Sequence, residues 1–118
     1  MNIAQARHYA LSLPKATESP HHKYSSFRVV GKIFATVPPD GEHLHVFVDE
    51  VEREHAIALA PATFEKLFWG DAAVGLRVHL AGAKPAAVER LLHCAWCRKA
   101  PRKLVELHPN PFHPEASR

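Results

Sequence analysis

The residues best equipped for chemistry lie in one stretch of five, His93-Cys94-Ala95-Trp96-Cys97, which holds both cysteines of the chain. A histidine and two thiols so close together suggest a metal or redox centre. The spacing argues against it. One Cys-x-x-Cys pair supplies two of the four ligands of a structural zinc site, and no second pair exists. A c-type haem motif has its histidine after the second cysteine, where this chain has Arg98. A thioredoxin-like cysteine sits at a helix N-terminus, where the dipole lowers the thiol pKa. Cys94 falls deep inside a helix expected to begin near residue 84. With Val88 at zero on a helical wheel, Leu91, Leu92 and Ala95 define the packed face and Trp96 lies on its flank. Cys97 then falls opposite that face, with His93 one turn back on the same outer side. The two are expected to be exposed unless a later segment or a partner covers them, and the stretch reads as a piece of helix.

The remaining histidines are weaker candidates. His43 and His45 share one face of a strand, a feasible ligand spacing, and His21, His22, His108 and His113 could ligate in principle. Asp49 and Glu50 are near in sequence, but no cysteine or carboxylate obviously completes a closed set. They read as surface histidines, with no metal site and no cofactor expected. The chain has no GxSxG, no P-loop and no HExxH, so no catalytic residue is nominated and an enzyme is not expected.

Charge is the more informative signal. The 118 residues carry a formal net charge of +3, unevenly spread. Residues 40–54 hold six acids against one base, Arg53, whereas residues 84–103 hold six bases against one acid, Glu89. Arg28 and Lys32 stand near the tip of an expected β-hairpin, and Arg98, Lys99, Arg102 and Lys103 stand where a helix ends. Phosphate contacts require such residues, although bases at a helix C-terminus also suit its dipole. No helix-turn-helix signature and no aromatic-rich RNA motif accompanies them.

The elements that must position these residues follow from periodicity. Residues 3–13 predict a helix capped by Asn2 and ended by Pro14, and residues 14–25 read as loop. Residues 27–30 and 33–37 predict a hairpin about Gly31-Lys32, and residues 43–48 a third strand after the Pro38-Pro39-Asp40-Gly41 turn. Asp49 caps a helix over 50–59, Thr63 to Trp69 reads as a further helical turn or two, and Val74 to Leu80 alternates as a strand. Pro85 suits the first turn of a long helix over 84–99, and Pro101 either breaks it or starts a short last helix through Leu107. The expectation is an α+β two-layer sandwich with a mainly antiparallel sheet of about four strands. Residues 1–107 form a single domain, and the Pro-rich tail over 108–118 is expected to be poorly ordered. Nothing reads as a membrane span or a signal peptide, and two cysteines suit a cytoplasmic protein with reduced thiols.

Four stretches carry a family resemblance: ALSLP at 10–14, FRVVGKIFATV at 27–37, WGDAAVGLRVHLAG at 69–82 and VERLLHCAWCRKAPRKL at 88–104. Together they resemble the MmcQ/YjbR family of small bacterial proteins. After Trp69-Gly70 that family often shows a second aromatic, where this chain has Ala72-Ala73-Val74. The resemblance implies a CyaY-like (bacterial frataxin-like) fold and a DNA-binding role through a double-wing arrangement. Frataxins bind iron through an acidic first helix, and residues 2–13 contain no acid, so iron binding does not carry over. The first expectation is therefore weak, largely non-specific contact with the DNA backbone by a cytoplasmic monomer, using Arg28, Lys32, Arg98, Lys99, Arg102 and Lys103. The alternative is a protein- or small-ligand-binding module with no nucleic-acid role, using the sheet face or a groove beside Trp69 and Trp96.

Overall fold

The Asn2 side-chain carbonyl accepts from the Gln5 N–H at 2.9 Å, and the Gln5 side chain accepts from the Asn2 N–H at 2.9 Å. This capping box starts α1 (Ile3–Ser12) where the sequence places it. The computed structural model describes residues 1–108. After α1 the chain runs β1 (Ala16–His21), β2 (Tyr24–Val29), β3 (Lys32–Val37) and β4 (His43–Val46), then α2 (Glu50–Leu59). It continues through β5 (Phe64–Trp69), β6 (Ala72–His79), a 3₁₀ turn (Leu80–Gly82), α3 (Pro85–Lys99) and α4 (Arg102–Leu107). Asp49 caps α2 by accepting from the Glu52 N–H at 3.0 Å, and Pro85 occupies the first turn of α3.

The fold is α+β, with one antiparallel sheet in the order β1-β2-β3-β4-β6-β5. Six strands replace the expected four, because both edges escape a reading by periodicity. β1 reads ATESPH, a polar edge strand with Pro20 in it, and such edges carry little apolar alternation. β5, expected as helix, is a strand whose register slips by a bulge between Leu67 and Phe68. The bulge breaks the period of two, so Phe64, Leu67 and Phe68 mimic helical spacing. The β2–β3 connection also differs: the turn is Val30-Gly31, with φ of 47° and 79°, and Lys32 already belongs to β3.

One face of the sheet carries the core. Phe27, Phe34, Leu44, Val46, Leu76 and Val78 are fully buried there, in one cluster with Ala6 and Ala10 of α1 and Val88, Leu92, Ala95 and Trp96 of α3. The opposite face presents the alternate residues, among them Tyr24, Arg28, Thr36, His45 and Arg77. Among the described residues no helix is long and apolar enough to cross a membrane.

Candidate functional site

The candidate site forms where β4 stops short. Val46 still pairs with Leu76 of β6, but beyond it the chain leaves the ladder toward α2. Gly75 permits this crossing: a Cβ there would collide with the Val46 carbonyl oxygen and lie 3.0 Å from the Phe47 Cα. The departing backbone is held by two guanidinium groups. Arg98 of α3 donates to the Phe47 carbonyl at 2.8 Å, and Arg53 of α2 donates to the Val48 carbonyl at 2.8 Å. A cleft of about 620 Å³ opens beside this segment, between the sheet face and the tip of the β5–β6 hairpin.

The chemistry of the cleft is one-sided. Its lining includes Arg53, Arg98 and Lys99, together with His21, His22 and His45, and no carboxylate among the described residues. The Nε of Arg53 is buried and has no hydrogen-bond partner among the described residues. Aromatic rings supply the rest of the wall. Trp69 is 65% exposed and Phe68 55% exposed, and the Trp69 ring lies 5.4 Å from that of Phe47 at 60°. The bulge at Leu67/Phe68 and the left-handed Gly70 (φ 61°) shape the hairpin tip that presents them.

Next to the cleft, the open sheet face carries a chain of polar contacts. Asp40 lies 2.8 Å from Nδ1 of His43, whose Nε2 lies 3.0 Å from Nδ1 of His79. Arg77 approaches Glu65 at 3.4 Å and Asp40 at 3.6 Å, and its Nη1 lies 3.0 Å from Nε2 of His45. The guanidinium donates here, so His45 accepts as the neutral imidazole. Burial above all, then Arg77 and His43, pushes the His45 pKa down to about 4. The Glu42 backbone N–H, with help from His43, holds the Asp40 carboxyl below its usual value. The partners of His43 are thus Asp40 and His79. Among the described residues no three His, Cys, Asp or Glu side chains are grouped as metal ligands.

The six bases expected to contact phosphate are distributed as follows. Arg98 and Lys99 line the cleft. Arg28 lies on the open face beside Ser26, to which its Nε donates at 3.0 Å, and opposite the cleft residue Ile33. Lys32 pairs with the core residue Val29, so the pleat turns it toward the helix side. Arg102 and Lys103 are exposed on α4, with Arg102 paired to Glu106 at 3.2 Å. Arg53 was missed as a site residue. Its sequence signal is that it is the single base within the acidic stretch 40–54.

The five-residue stretch around the cysteines needs correction. His93 is only 4% exposed and Cys97 is half-buried, not outward-facing. The packed arc of α3 is wider than one sheet face requires because α1 also packs on it, and Leu104 and Val105 of α4 join the same core. Tyr9 marks the α1 side, its hydroxyl pKa pushed up to about 12 by burial, then Glu89 and both thiols. Burial pushes the Cys94 thiol up to about 11 and raises Cys97, which leaves neither ionised near neutrality. Cys97 Sγ lies 3.5 Å from His93 Nδ1. Trp96 is fully buried and donates to the Pro14 carbonyl at 3.0 Å, so the groove expected beside Trp69 and Trp96 has only Trp69 in it.

Of the tail over 108–118, expected to be poorly ordered, residues 109–118 lie outside the described residues. The model of the YjbR family matches residues 11–98, and the chain belongs to that family. No curated protein matches it.

Proposed function

We propose that this member of the YjbR family is a DNA-binding protein that holds the phosphate backbone weakly and largely without sequence preference, at the cleft beside the β5–β6 hairpin. The reading rests on one observation: three bases and three histidines line the cleft and no described carboxylate does. Three of the acids of residues 40–54 are engaged at α2. Glu52 pairs with Arg90 at 2.8 Å, Glu54 with Lys66 at 3.0 Å, and Asp49 caps α2. The cationic wall therefore keeps its field for an external anion. Arg98 and Lys99 are the central phosphate contacts, with Arg53 beside them and Arg28 on the adjoining sheet face. Lys32, Arg102 and Lys103 stand further from the cleft and add general attraction. No catalytic residue is assigned, and the role is binding.

The volume of about 620 Å³ also favours a second reading, a site for a small anionic ligand, because it falls within the usual range for such pockets. A labelled duplex titrated at low salt separates the two. On the first reading it binds, and replacing Arg98, Lys99, Arg102 and Lys103 with Ala weakens it well beyond the change seen for the remote variant Lys84→Ala. Absence of binding at low salt by duplex and single strand alike, or equal effects of the two variants, rejects the DNA reading.

A further inference from the structure

We infer that the nucleic acid this cleft accepts is single-stranded, with an unpaired base stacked on Trp69 and the adjoining phosphate on Arg98 and Lys99. The inference rests on the proposed nucleic-acid role and narrows it to a substrate class. Backbone attraction alone needs only exposed bases on a convex surface. This site is concave, and it puts large aromatic surface within the same cleft as the cations.

Trp69 and Phe68 are adjacent, both more than half exposed, and neither contributes to the core cluster. Phe47, itself 8% exposed, braces the Trp69 ring from one side at 5.4 Å. A braced indole with open surface is a stacking platform, and every base has a face that can lie on it. Tyr24, 38% exposed, and His21 and His22 stand on the β1–β2 side of the same cleft and offer further ring surface. In a duplex the base faces are occupied by their neighbours and only backbone and groove edges are presented. An unpaired strand can offer base face and phosphate together.

The anion end is equally built. Arg98 spends one donor on the Phe47 carbonyl, which fixes its guanidinium at the cleft, and the fork geometry leaves its other N–H groups for a phosphate. Arg53 is fixed in the same way on the Val48 carbonyl. The same crossing of the Phe47–Val48 backbone thus sets both ends: its carbonyls orient the two cations, and the Phe47 ring supports the indole.

The test compares a labelled oligo-dT strand, an abasic strand of equal length and a duplex of the same length, by anisotropy at low salt. The dT strand is expected to bind at least about tenfold more tightly than the other two, since stacking on an aromatic carries about that factor per base. Trp69→Ala should weaken the dT strand about tenfold and leave the duplex unchanged, and Trp69→Phe should restore most of the loss. Because Trp69 is exposed, these variants fold. Equal affinity for dT and abasic strands, or a Trp69→Ala variant indistinguishable from the parent on dT, overturns the inference. If the duplex then still binds and depends on Arg98 and Lys99, the DNA-binding role stands without it. If nothing binds, both fall.

Discussion

His45 sits 5% exposed on the open sheet face, with Arg77 Nη1 3.0 Å from its Nε2. Its pKa lies at about 4 in the fold against 6.5 for the free side chain, so between those values the unfolded chain binds the proton and the folded one does not. Stability then rises with pH, is complete above 6.5, and is lost as pH falls toward 4. About 2 kcal/mol should disappear between pH 7.5 and 5, read from urea unfolding at each pH. His93, lowered by burial, adds to the loss with the same sign. His45→Gln should therefore flatten the dependence without abolishing it, and an unchanged slope would refute the assignment. Val30 makes a second residue-scale prediction. It is β-branched, 62% exposed, and held at φ 47° in the β2–β3 turn, a conformation that suits Asn or Gly. Val30→Asn should raise the unfolding free energy by about 1 kcal/mol in the same assay. Residue types were legible for Trp69, Arg98 and Lys99, which stand out by size or charge. Arg53 was not, because its role comes from a backbone carbonyl brought to it by the α2 turn, which no local pattern encodes.

The helices were legible because their caps are local. Asn2 with Gln5 and Asp49 with Glu52 act within three residues, so the sequence alone contains the whole interaction. The central strands were legible through alternation of residue type, since Leu44, Val46, Leu76 and Val78 belong to the core while His43, His45, Arg77 and His79 lie on the opposite face. The edge strands were hidden by physics of a different kind. β1 has little apolar surface to alternate, and the bulge in β5 shifts its phase midway. The face of α3 was misjudged because a helical wheel cannot tell how many neighbours will cover it. At this scale Gly75 carries the prediction. Gly75→Ala forces β6 away from the Val46–Phe47 backbone, and it should cost about 2 kcal/mol in thermal or urea unfolding. It should also displace Phe47 from Trp69, seen as a changed indole environment. A variant as stable as the parent would mean that the crossing is not tight.

Across the whole molecule, the uneven charge seen in the sequence becomes a spatial separation. The acids of residues 40–54 are drawn into α2 and the Asp40 network, while α3 delivers Arg98 and Lys99 to a cleft without a described carboxylate. Net charge alone, +3, could not have shown this, because it takes the fold to place β4's exit beside the end of α3. The most direct measurement of the central claim is the affinity for labelled DNA across a series of salt concentrations, for the parent and for Arg98→Ala/Lys99→Ala. The parent should bind at low salt, with log affinity falling linearly against log salt by about 0.9 for each duplex phosphate contacted. The double variant should bind more weakly, with a slope smaller by about two such contacts. No binding at low salt, or a double variant with the parent's affinity and slope, would contradict the account.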